Sequence, residues 1–205
     1  MTVAQPLNFQ EQEYEQEAAR ANLYGVLASL FYGPPSQALL NSIANASADG
    51  GGLLQQGWSE LAAACRVADA GRVRDEYEAL FIGVGKPEVM LYGSYYLSGF
   101  LMEKPLAALR SELEALGLQR DESMPESEDH IAALCEVMRH LILSDDGAPA
   151  GIETQKRFFS AQMQPWVNEM CDAIGGRPEA QFYRAVAQLA RDFFDVEGQA
   201  FDMID

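Results

Sequence analysis

His130 follows directly on Asp129, with Glu126 and Glu128 just ahead of it. An imidazole beside carboxylates suits either proton transfer or the capture of a cationic group. If these residues open a helix, consecutive side chains diverge by about 100° and do not face each other. A relay also needs its members to converge from separate elements. No GxSxG elbow supplies a nucleophile. The other histidine, His140, lies ten residues on, and no HExxH or paired ExxH occurs. Cys65, Cys135 and Cys171 show no CxxC or CxxH spacing. No metal site and no cofactor are therefore expected, and catalysis is disfavoured. GxGxxG and GxxxxGKS are absent too. Gly83–Pro87 follows a helix rather than a strand and reads as a C-terminal turn. Two readings of the carboxylates stay open: caps for free N–H groups at a helix start, or contacts for a ligand.

A second cluster is aromatic. Tyr92, Tyr95 and Tyr96 fall within five residues on a glycine-containing connection, downstream of Leu80 and Phe81. Tyrosine combines apolar area with a polar handle, as binding surfaces favour. Leu80 and Phe81 suit a core, and the tyrosines either pack over it or face a ligand. Ser94 suits a helix cap.

The elements that must position these groups are helical. After Asp129, residues Ile131, Leu134, Cys135, Met138, Leu141 and Ile142 recur at helical spacing, predicting a helix over Glu128–Ser144 with one buried face. A first helix runs from near Glu11 to Tyr32, with Leu23, Leu27, Leu30 and Phe31 as its stripe; Gly33-Pro34-Pro35 stops it. Further helices are expected over Gln37–Asn45, Trp58–Ala68, Arg72–Ile82, from Pro105 to Gly117, Thr154–Gln162, Pro165–Ile174 and Glu179–Phe194. Ala48–Gly57, Lys86–Tyr96 and Asp145–Gly151 read as non-helical connections, and Val196–Asp205 shows no period. Neither strand-like alternation nor an internal repeat is seen. The fold class is all-α, one helical bundle-like domain. Its halves, about 11–118 and 128–195, flank a polar hinge at Gln119–Ser127.

With 205 residues, 48% apolar and 22% charged, the chain can bury a core. Fourteen basic against 31 acidic residues leave a net charge of −17. Such a field disfavours nucleic acid and favours encounter with a basic peptide. No apolar run spans a membrane, and the N-terminus lacks the pattern of a secretory signal. A cytoplasmic location and three reduced, mostly buried thiols are expected.

Three ordered stretches carry a resemblance. Tyr77–Tyr96 is similar to a "Y-x-x-L-F-x-G … P … S-x-Y" segment, Met124–His130 to "E-x-x-D-H", and Phe158–Trp166 to "F-F-x-x-H-L-x-P-W". Together they resemble the TorD/DmsD/NarJ family of redox-enzyme maturation chaperones, over roughly Glu13 to Phe194. The resemblance implies a binding protein. Its partners would be the twin-arginine leader peptide and apoprotein of a molybdenum-cofactor oxidoreductase, held until cofactor insertion is complete. It implies that Asp129, supported by Glu128, meets the arginine pair, and that His130 orients Asp129 or contacts the peptide. Leu80, Phe81, Tyr92, Ser94, Tyr95 and Tyr96 would help line the apolar groove. The alternatives are a NarJ-like role on a non-exported molybdoenzyme and a helical scaffold. Gly93 stands where many relatives carry Glu, and Ser127 where many carry Pro. The first removes an acidic contact for a client arginine, and the second loosens the hinge. A monomer or a domain-swapped dimer is compatible with that hinge.

Overall fold

The computed structural model describes residues 9–46, 52–83, 85–121, 124–144 and 151–204, with side chains from residue 14 onward. Its order is α1 (Phe9–Tyr32), α2 (Gln37–Asn45), α3 (Leu53–Val67), α4 (Ala70–Tyr77), a π-helical turn (Glu78–Ile82), α5 (Gly93–Ser98), α6 (Lys104–Ala115), α7 (Ile131–Leu143), α8 (Ile152–Gln162), α9 (Val167–Gly175) and α10 (Phe182–Asp202). Among the described residues there is no strand, only one antiparallel bridge pairing Tyr92 with His130. No described helix is long and apolar enough to cross a membrane. Parts of the expected connections, residues 47–51, 84, 122–123 and 145–150, lie outside the described residues.

The caps follow local chemistry. Ser36 accepts from the Leu39 N–H and opens α2, and Asp69 accepts from the Arg72 N–H and opens α4. Gly117, at φ 72°, ends α6: its N–H reaches the Glu114 carbonyl at 3.0 Å, and the Leu118 N–H reaches Leu113 at 2.8 Å. Two distant tyrosines serve the end of α1. The Tyr77 hydroxyl donates to the carbonyls of Phe31 and Tyr32, and the Tyr183 hydroxyl to that of Leu30. The N-terminus of α10 is closed by Glu76, whose carboxylate accepts from the N–H groups of Gln181, Phe182 and Tyr183 at 2.8–3.1 Å.

One core unites elements from both sides of residues 119–127. α1 lies along α7, and α3 lies along α10. Trp166, Tyr24, Phe31, Phe158, Phe159 and Phe193 are fully buried within it. Cys65, Cys135 and Cys171 are all free and buried.

Several boundaries differ from those predicted, four of them instructively. α3 begins at Leu53, inside the expected Ala48–Gly57 loop, with Gly57 buried where α3 faces Leu189 and Asp192 of α10. α5 occupies part of the expected connection Lys86–Tyr96; six residues are too short to show a period. α7 begins at Ile131 instead of Glu128, with His130 as its cap. α10 continues to Asp202 through the apparently aperiodic tail, with Glu197, Gly198 and Phe201 buried.

The tail stays helical because its one buried charge is matched. Arg20 Nε and Nη2 donate to the two oxygens of Glu197, both at 2.8 Å, and the Tyr24 hydroxyl donates to the same carboxylate at 3.0 Å. Burial first, and then Glu197, push the Tyr24 hydroxyl well above its ordinary pKa. Removing one partner of a buried pair strands the other. Glu197→Ala is expected to lower unfolding free energy in urea by about 3 kcal/mol or more, and Glu197→Gln by less.

Candidate functional site

The aromatic connection and the Asp-His segment, 36 positions apart at Asp129 and Gly93 by number, are clasped together. The Gly93 N–H donates to the Asp129 carbonyl at 2.9 Å, and the Ile131 N–H to the Leu91 carbonyl at 2.8 Å. The Asp129 side chain completes the clasp. Its Oδ2 accepts from the Ser94 N–H at 2.9 Å and its Oδ1 from the Ser127 hydroxyl at 2.5 Å. Asp129 thus caps α5, an element it does not belong to. α7 in turn is capped by His130, whose Nδ1 accepts from the Ala132 N–H at 3.1 Å. That acceptor role places the neutral ring's proton on Nε2. The ring also stands edge-on to Tyr92, with centroids 5.0 Å apart.

Several of the residues expected to face a ligand are buried. Asp129 is 4% exposed with both oxygens engaged, so a client arginine does not find it at the surface. Ser94 is buried, and its hydroxyl accepts from the Met102 N–H instead of capping its own helix. Leu80 and Phe81 lie in the core, with Phe81 edge-on to Tyr77 and Tyr183. Tyr96 stacks on Trp166 and donates to the Met90 carbonyl, and Tyr95 leans on Tyr96 beneath the Lys86 ammonium. These two tyrosines border a separate cleft with Glu169 and Arg177. Gly93 packs closely on Trp166: a Cβ would meet the indole nitrogen at 3.0 Å, and the ring would have to shift to admit it.

What the structure does bring together around His130 is an apolar cleft of about 380 Å³. Its floor is α1 and α7, where Ala28, Ser29, Ala132 and Ala133 are small and leave depth. Tyr32, Leu113, Met124 and Val137 supply the apolar walls. Carboxylates surround them: Asp121, Glu126, Glu128 and Glu136. Tyr92 donates to Glu126, tying the clasp to this wall. Arg110 grips Glu128 through Nε at 3.0 Å and Nη2 at 2.9 Å, and Arg120 approaches it at 3.8 Å. Burial pushes the Glu128 carboxyl up, but the bonds and charge of these arginines outweigh it and hold the pKa below its ordinary value. The cleft floor and Glu136 escaped the sequence reading. Their one signal was the small-residue pairs Ala28-Ser29 and Ala132-Ala133 flanking large core residues.

The fold and site thus define a helical binding protein with an acid-rimmed apolar cleft. A family model described as "Nitrate reductase delta subunit" matches residues 52–172, more than half of the chain. The chaperone protein TorD of Shewanella loihica is 27% identical over 89% of this chain and 92% of its own. TorD of Vibrio cholerae is 24% identical over the same shares. A crystal structure of a redox enzyme maturation protein from Archaeoglobus fulgidus shares the fold, with a TM-score of 0.55 at 20% identity over 95% of this chain and 97% of that one. The chain belongs to the TorD/NarJ family of redox enzyme maturation chaperones.

Burial lowers the His130 pKa from 6.5 to about 4, against the raising effect of the Glu126 and Asp129 charges. Between those values the unfolded chain binds more protons than the folded one. The stabilisation is therefore complete above pH 6.5 and is lost as pH falls towards 4, amounting to roughly 3 kcal/mol. Unfolding followed from pH 7.5 to 4.5 should show this loss. His130→Asn, which keeps a capping side chain, should flatten it.

Proposed function

We propose that this chain is the maturation chaperone of a molybdenum-cofactor oxidoreductase. In the cytoplasm it holds the client's twin-arginine leader, and with it the apoprotein, until the cofactor is in place. The observation that carries this reading is the apolar cleft on α1 and α7 with Glu126, Glu128 and Glu136 around it. The apolar part of a leader suits such a groove as a helix laid between two helices. Its arginines meet the rim carboxylates, which pair with guanidinium bidentately in a way lysine cannot reproduce. Asp129 acts as a positioning residue: it fixes α5, and through Tyr92 the Glu126 wall. His130 holds the start of α7 and offers its Nε2–H to a peptide carbonyl. The negative field speeds the encounter with a basic leader and makes it salt-sensitive.

The description of the matching family model favours a second reading, a nitrate-reductase-type client without an export leader. Calorimetric titration separates the two. Leaders from the host's molybdoenzymes should bind, and an Arg-Arg→Lys-Lys version should bind about 10–100-fold more weakly. Ala133→Trp, which fills the cleft floor, should cut binding of both by at least about tenfold. Binding of no leader, alongside capture of a leaderless catalytic subunit, would favour the second reading. Binding of neither would overturn both.

A further inference from the structure

Glu128 is the rim carboxylate best shaped for a client arginine, and it is already holding one. Arg110 meets it fork to fork, with Nε on one oxygen at 3.0 Å and Nη2 on the other at 2.9 Å. Arg120 adds charge at 3.8 Å. The chain has only 14 basic residues against 31 acidic ones, so two arginines on one carboxylate is an uneven allocation. The pair also stands at a boundary. A second cleft, of about 450 Å³, lies beyond it and shares Leu113, Leu118, Arg120 and Glu128 with the apolar one.

We infer that Arg110 is an internal competitor for the leader's arginine, and that it lowers the cleft's affinity for any ligand that needs Glu128 by occupying that carboxylate until a client guanidinium displaces it. The inference rests on the proposed leader binding. The Arg110 side chain is 55% exposed and can swing into solvent, while that of Glu128 is 13% exposed and needs a replacement guanidinium when Arg110 leaves. The exchange conserves the number of guanidinium–carboxylate pairs. A leader therefore gains at this point only if its arginine is held better than Arg110, as when its apolar segment fills the adjoining cleft and fixes the geometry. A basic peptide without that segment gains nothing by displacing Arg110, and a lysine replaces a two-point contact with a one-point one. Arg120 is a less clean probe, because its Nη1 also donates to the Met124 and Glu126 carbonyls.

The test is calorimetry on the intact protein with the Arg-Arg leader and a short basic peptide lacking the apolar segment. Arg110→Ala is expected to bind the leader about 5–10-fold more tightly than the wild type. The basic peptide should gain no more than the leader, because any ligand that takes Glu128 is released from the same cost of displacing Arg110. Arg72→Ala, which removes the same charge from the exposed face of α4 away from both clefts, controls for the overall field. Glu128→Gln should weaken leader binding and erase the gain from Arg110→Ala in the double variant. A gain no larger than that of Arg72→Ala, or one that persists with Glu128→Gln, overturns the inference and leaves leader binding standing. Absence of leader binding to the wild type overturns both.

Discussion

A single buried carboxylate fixes the geometry on which the cleft depends. Asp129 is taken out of water, and a charge in that position is tolerable only when its acceptors are filled. One oxygen takes the free N–H of Ser94 at the start of α5, and the other takes the Ser127 hydroxyl. The backbone bridge between Tyr92 and His130 lies alongside. From that knot, α5 leaves in one direction and α7 in the other. Tyr92 carries the constraint outward to Glu126. The acidic wall of the cleft is thus hung from a residue that does not itself reach the surface.

This arrangement explains where the sequence could be read and where it could not. The stripes of α1 and α7 were legible because each buries one continuous face against the other, and a buried face leaves a period. The ends of α1 and α6 were legible because Gly33-Pro34-Pro35 and Gly117 act locally. Capping of α5 by Asp129 was illegible, because donor and acceptor belong to segments that only the fold brings together. The same holds for Glu76 at α10. A carboxylate ahead of an apolar stripe looks like the cap of that stripe's helix, and here it serves another. The last turns of α10 were hidden for a related reason: Glu197 breaks an apolar period, and its burial makes sense only beside Arg20. The cleft itself is a matter of what is missing. Alanine and serine at its floor leave room, and small residues carry no periodic signal. The family pattern pointed, through Asp129 and His130, to the part of the fold where the cleft lies. It did not separate the residues that build the site from those that face its contents.

The acidic excess also divides in two. Part of it is structural: Glu76, Asp69 and Asp129 close helix ends, and Glu197 anchors α10. Of these, Asp129 and Glu197 are buried, and Glu197 is matched by Arg20. What remains around the cleft is concentrated on Glu126, Glu128 and Glu136 with Asp121.

The pairing of Arg20 with Glu197 has a consequence for when the cleft comes into being. α1 contributes one side of the cleft floor and leaves the ribosome before every other described element. Its partner α7 emerges more than a hundred residues later, and the anchor on α10 later still. Contacts so distant in sequence form slowly, since a long loop must close before any of them is made. During synthesis the apolar side of α1 has no permanent neighbour. The nascent chaperone is then, for a time, an unfolded client in its own right.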